Sequence, residues 1–130
     1  MIRKYQNLKV WEKATELALE VYAAIRQFPK EEIYGMTSQI RRAAVSIPSN
    51  IAESSERKSD KEFIRFLRIA ASSIAEMETQ LYLAFKLGYI TQKIYDSLFI
   101  QTTETAKMIY GLTSKLEGRL SSDLRLATGD

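Results

Sequence analysis

Apolar residues recur three and four positions apart along almost the whole chain. Trp11, Ala14, Ala18, Val21, Ile25 and Phe28 form the first such series. That spacing gives a continuous stripe on a helix and a scrambled one on a strand. Asn7 is the candidate N-cap, and Pro29 closes the segment, because the residue before a proline is pushed out of α geometry. Further along, Ser59-Asp60-Lys61-Glu62 is a capping-box pattern. It opens a stripe of Phe63, Leu67, Ala70, Ile74, Met77, Leu81 and Phe85, and Gly88 supplies the stop. At about 1.5 Å per residue this third helix is roughly 40 Å long. Thr91 can cap a last helix carrying Ile94, Leu98, Met108, Leu112 and Leu116 on one side, interrupted by the polar Gln101, Thr102 and Thr105. The sequence after Gly118 has little pattern and is expected to be a flexible tail over 119–130.

The segment between the first and third helices contains Pro48. At about 100° per residue, Ile33, Met36, Ile40, Ala44, Ile47 and Ile51 share one sector roughly 80° wide, and the phase is unbroken across the proline. One helix is therefore expected to run through Pro48 with a kink. Proline removes an N–H and crowds the carbonyl four residues back, here that of Ala44. Ser46, Ser49 and Asn50 are small polar neighbours able to relieve that strain or hold a water.

A second stripe lies well over 90° away on the same wheel: Gln39, Arg42, Ser46, Asn50 and Glu53. It reads either as a solvated polar face or as a structural or assembly contact, since small Ser and Asn occupy its middle and Lys is absent. In a head-to-tail assembly, Glu53 would meet Arg41 or Arg42 of a neighbouring copy.

These patterns give an all-α protein, an antiparallel up-down four-helix bundle with a Pro-kinked second helix. The helices are expected near 8–28, 32–56, 60–87 and 92–117, within one domain over 1–118.

Composition narrows the chemistry. The 130 residues include neither Cys nor His, which excludes a thiolate nucleophile, a Ser-His triad and any His-containing metal site. No phosphate-cradling glycine loop is present. Glu12, Glu16 and Glu20 stand at helical spacing and read as a solvated face. No catalytic residue, metal or cofactor is expected, and the protein is read as a non-enzyme. No apolar run approaches the roughly 20 residues of a membrane span, the first residues lack a signal-peptide core, and a cytoplasmic location is expected. The formal charge of +3 is mildly basic. The tyrosines Tyr82, Tyr89, Tyr95 and Tyr110 read as boundary residues with a buried ring and a wet hydroxyl.

Several stretches carry a family likeness. "NLKVWEKA" (7–14), "FP" (28–29), "YGMTSQIRRAAVSIPSNIAE" (34–53), "KEFIRFLRIAASSIAEMETQL" (61–81) and "LGYI" (87–90) together span most of residues 5–117. In them the chain resembles the four-helix-bundle family named for proteins encoded in intervening sequences of bacterial 23S rRNA genes. That family also includes relatives of the accessory protein of diversity-generating retroelements. The chain departs from the pattern at Ser54, where relatives usually carry Gly, and at Ser72-Ser73, where they often have Gly-Ser. The resemblance implies a cytoplasmic bacterial homo-oligomer, with a pentameric ring favoured, and no enzymatic activity. Its retroelement relatives look like binders of nucleic acid and reverse transcriptase.

With that resemblance in view, the charges between residues 41 and 68 point to a nucleic-acid surface. Arg41, Arg42, Arg57, Lys58, Lys61, Arg65 and Arg68 are seven positive groups against the four of Glu53, Glu56, Asp60 and Glu62. Lys61, Arg65 and Arg68 form one stripe, continued into the preceding turn by Arg57 and Lys58. Such a stripe can track phosphates, and a ring would repeat it in every subunit. The expected function is a sequence-tolerant RNA- or DNA-binding oligomeric scaffold contacting phosphates through Arg41, Arg57, Lys58, Lys61, Arg65 and Arg68, with RNA, DNA or a reverse transcriptase as partners beside the protein's own copies. The alternative is a protein-interaction and assembly module that does not touch nucleic acid.

Overall fold

The computed structural model describes residues 4–128. Within them the chain is all-α, with four α-helices and no strand: α1 Lys9–Ala24, α2 Met36–Ser55, α3 Asp60–Lys86 and α4 Gln92–Thr128. Short 3-10 turns precede α1 at Lys4–Asn7 and follow it at Ile25–Gln27 and Lys30–Glu32. Each helix packs against its neighbours in the chain, and α4 closes on α1.

The stripes read from the sequence bury, shifted in places by one residue. Val10, Ala14, Leu17, Val21 and Ile25 face inward from α1 and its 3-10 extension, while Trp11 and Ala18 are half-buried at the edge. In α3, Ile64, Leu67, Ala70, Ile74, Met77, Leu81 and Ala84 are buried, with Phe63 and Phe85 packed beside them. Burial of one Leu- or Ile-sized side chain stabilises by about 1.5–3 kcal/mol, so these stripes carry the fold.

The helix ends follow local chemistry. Ser59 Oγ accepts the Glu62 N–H at 3.2 Å, so the expected cap of α3 forms. The reciprocal half of the capping box does not, because the Glu62 carboxylate turns to Arg65. At the other end Gly88 takes φ +81°, the Gly88 N–H bonds the Phe85 carbonyl, and the Tyr89 N–H reaches back to that of Ala84. This is a Schellman stop, and it needs the left-handed glycine. Thr91 Oγ1 accepts the Ile94 N–H and caps α4.

Four expectations are corrected. The N-cap of α1 is Leu8, which forms no side-chain cap. α2 begins at Met36 rather than near 32, and Ile33 lies in the preceding turn, half exposed. There the 3-10 turn at Lys30–Glu32 and the Glu32-to-Gly35 bond absorb the chain. α4 does not end near 117: it continues as helix through Thr128, so the described part of the expected 119–130 tail is helical. Glu117 and Arg119 fasten that extension to α3. Finally, Thr102 and Thr105 do not interrupt the inner face of α4. They lie fully inside it with Thr113, each hydroxyl bonding the carbonyl four residues back at 2.6–2.8 Å. A hydroxyl satisfied within its own helix is buried at little cost.

α2 runs through Pro48 as a single helix, with Ile47 and Ile51 fully buried on either side. The register across the proline is the one the wheel requires.

Candidate nucleic-acid interface

The polar stripe of α2 divides in two. Gln39, Arg42 and Glu53 are exposed, whereas Ser46 and Asn50 are half-buried against α3. Asn50 Nδ2 donates to the Ser46 carbonyl at 2.8 Å and to Ser46 Oγ at 2.9 Å. Ser46 Oγ stands 2.8 Å from Ser73 Oγ, which in turn reaches the Ile69 carbonyl at 3.2 Å. One assignment satisfies every proton: Asn50 donates to Ser46, Ser46 to Ser73, and Ser73 to Ile69. The middle of the stripe is thus a helix–helix contact within the chain. Ser54, the departure from the family's usual glycine, is fully buried and donates to the Ile51 carbonyl at 2.6 Å.

Glu53 does not point freely outward. Its carboxylate accepts Arg57 at 2.8 Å, four residues on. Arg41 is also placed differently from expectation. It lies on α2 about 24 Å along the helix axis from the turn at Arg57, with its guanidinium 5.7 Å from the Tyr22 ring centre on α1. Its Nε is fully shielded with no hydrogen-bond partner among the described residues. Arg41 therefore does not join the basic cluster.

The other five candidates do come together, on the α2–α3 turn and the first turns of α3. Lys61, Arg65 and Arg68, with Glu62, Ile69 and Ser72, line a shallow open groove of about 400 Å³. All three arginines already hold a carboxylate: Arg57 with Glu53 at 2.8 Å, Arg65 Nε with Glu62 at 2.9 Å, and Arg68 with Glu117 of α4 at 2.7 Å. Arg119 of α4 clasps Asp60 through both Nε and a terminal nitrogen, at 2.8 and 2.7 Å. Arg119 holds the Asp60 carboxyl below the usual carboxylate range, and Arg65 does the same to Glu62. Among the described residues Lys58 and Lys61 make no ion pair.

The charge count changes accordingly. With Arg41 and Arg42 remote and Glu117 and Arg119 brought in, six positive groups share this end with five negative ones. The surface is mixed, with its cations on the α3 ridge. Sequence reasoning missed three participants. Glu117 and Arg119 fell beyond or at the end of the expected helix. Phe66 was passed over because its position falls between the buried and basic stripes. Its ring lies under both Arg57 and Arg65, whose guanidinium carbons stand 4.4 and 4.6 Å from the ring centre.

Residues 6–111 match the family model for the 23S rRNA-intervening sequence protein. The chain belongs to this family. Among solved structures, a protein of unknown function from the S23 ribosomal protein family of Bacteroides thetaiotaomicron is similar at 30% identity with a TM-score of 0.72. The likeness covers 80% of this chain and 97% of that one. No functionally curated protein matches. The match to the 23S rRNA-intervening sequence family ends at residue 111, so the last turns of α4, including Glu117 and Arg119, lie beyond its model.

Proposed function

We propose that this member of the 23S rRNA-intervening sequence family is a non-enzymatic, cytoplasmic scaffold that assembles with its own copies into a ring, a pentamer being favoured, and binds RNA or DNA. In this reading the four helices run up and down. The cross-links Ser46–Ser73 and Asp60–Arg119 support that, each joining the parts of two helices that an antiparallel arrangement sets side by side. A kink at Pro48 belongs to the same reading and follows from the N–H that proline lacks. No helix among the described residues is long and apolar enough to cross a membrane.

The observation that carries nucleic-acid binding is the α3 ridge. Lys58 and Lys61 are exposed without a carboxylate partner, and Arg65 and Arg68 continue their line along an open groove. Surface ion pairs of the Arg65–Glu62 kind are weak, so a phosphate can displace the carboxylate. The test is fluorescence anisotropy of a labelled RNA at two salt concentrations. Binding should fall steeply with salt, and Lys61→Glu/Arg65→Glu should abolish most of it. No binding by the wild type at low salt would remove this reading.

A second reading, an assembly and protein-interaction module that leaves nucleic acid alone, draws support from the opposite side of the bundle. Between α1 and α2, Thr15, Ala18, Leu19, Tyr22, Val45 and Pro48 line a groove of about 260 Å³ without a charged side chain. Leu19 and Val45 are 68% and 45% exposed there. A second copy covering this strip would explain the exposure. Light scattering on Val45→Asp tests it: a mass reduced to the single chain supports the contact, and an unchanged assembly mass excludes it.

A further inference from the structure

The proposed phosphate surface contains arginines in two different states. Arg119 spends two donors, Nε and a terminal nitrogen, on both oxygens of Asp60. That fork is closed. Arg57 gives one terminal nitrogen to Glu53, and Arg65 gives its Nε to Glu62. A guanidinium carries five N–H donors, so both keep several in hand. Their side chains are 42% and 59% exposed, yet each is held at two points, by a carboxylate and by the face of Phe66.

We propose that Phe66 is a positioning residue that orders Arg57 and Arg65 as a pair for the backbone phosphates of a bound nucleic acid. The inference rests on the nucleic-acid reading above and deepens it. An arginine side chain loses much rotamer freedom when it grips a ligand, and that loss subtracts from affinity. Stacking on an aromatic face removes part of it in advance, because the planar guanidinium is attracted to the ring and keeps its edge donors outward. Phe66 has no donor or acceptor of its own and is half-buried on α3, one position past Arg65 and against the turn that carries Arg57. It therefore joins an arginine of the turn to one of the helix, while their ion pairs among the described residues go to separate carboxylates, Glu53 and Glu62. Lysine is the poorer partner, since an ammonium is attracted to a ring but has no plane to stack on it.

The decisive variants are Phe66→Leu, which keeps bulk and loses the aromatic face, and Phe66→Tyr, which keeps the face. Affinity for a labelled single-stranded RNA, a single-stranded DNA of the same sequence and the corresponding duplex is measured by anisotropy across a salt series, with thermal melts alongside. Phe66→Leu should weaken binding about fivefold or more. It should also flatten the salt dependence by the equivalent of one to two phosphate contacts, about 0.7 in slope for each on a single strand. Phe66→Tyr should bind within about twofold of the wild type. Arg57→Lys/Arg65→Lys, which keeps both charges and the Phe66 ring but removes the two planar groups that lie on it, should lose as much affinity as Phe66→Leu. The ranking of the three probes shows which nucleic acid supplies the phosphates. A wild type that binds none of them overturns the nucleic-acid reading and this inference with it. A wild type that binds while Phe66→Leu matches it in affinity and slope overturns this inference alone. So does a lysine pair that binds as well as the arginines.

Discussion

Ser46 on α2 and Ser73 on α3 place their hydroxyl oxygens 2.8 Å apart, the one side-chain hydrogen bond joining these two helices among the described residues. It completes a relay from Asn50 to the Ile69 carbonyl. Removing the Ser73 hydroxyl leaves Ser46 Oγ accepting from Asn50 but takes away the acceptor of its own proton at a half-buried position. Ser73→Ala should cost about 1 kcal/mol in urea unfolding. Ser46→Ala combined with it should cost less than the sum of the two single changes.

Pro48 is tolerated by α2 rather than required by it. Alanine there would restore an N–H for the Ala44 carbonyl and relieve crowding, against a loss of about 0.4–1 kcal/mol of unfolded-state restriction. Pro48→Ala should raise the unfolding free energy by roughly 1–2 kcal/mol. A destabilised variant would mean that the proline ring itself matters to packing beside Thr15 and Val45.

Gly88 holds φ +81°, and a methyl group added there would meet nothing within 4 Å. The cost of Gly88→Ala is therefore conformational, roughly 1–2 kcal/mol. It should appear in chemical denaturation with no change in helix content at 20 °C. Full native stability in the alanine variant would contradict the Schellman stop.

Arg119 holds the Asp60 carboxyl below its ordinary range, and Arg65 holds that of Glu62 below its own. A lowered native pKa favours the folded state above the unfolded-state pKa, and the gain disappears as the pH falls through the native value. Melting temperature should therefore be level at neutral pH and decline below about pH 4. Asp60→Asn should melt lower than the wild type at pH 7 and lose less on acidification. Equal acid sensitivity of the two proteins would show that other carboxylates dominate.

The helical stripes were legible because burial on a helix repeats with the helix period, and they placed Leu67, Ile74 and Ile47 inside without any tertiary information. What could not be read was the partner of a long side chain. Arg68 and Arg119 find Glu117 and Asp60 across 49 and 59 residues of sequence, and periodicity carries no record of such pairs. The same limit explains Arg41. It shares a sequence stretch with Arg42, but its helix position turns it toward Tyr22 instead of the basic ridge. Phe66 was overlooked because an aromatic half in and half out belongs to neither stripe. The extension of α4 past Gly118 was missed for a simpler reason. Its helix is fastened by the Arg119–Asp60 pair and by the single half-buried Leu120, while Leu124 and Leu126 are exposed, so no apolar stripe continues.

The buried threonines of α4 have a consequence for how the bundle can adjust. Thr102, Thr105 and Thr113 carry their acceptors with them, since each bonds the carbonyl of its own helix. A small slide or rotation of α4 past its neighbours would break none of those bonds. Inside the bundle, the seating of α4 thus depends on the shapes of Leu98, Ile109 and Leu116, while α2 and α3 are latched by a directional bond. Within the core one side of the bundle is keyed by a directional bond, whereas α4 is held to its neighbours by surface charges, Arg68–Glu117, Arg119–Asp60 and Lys13–Glu104.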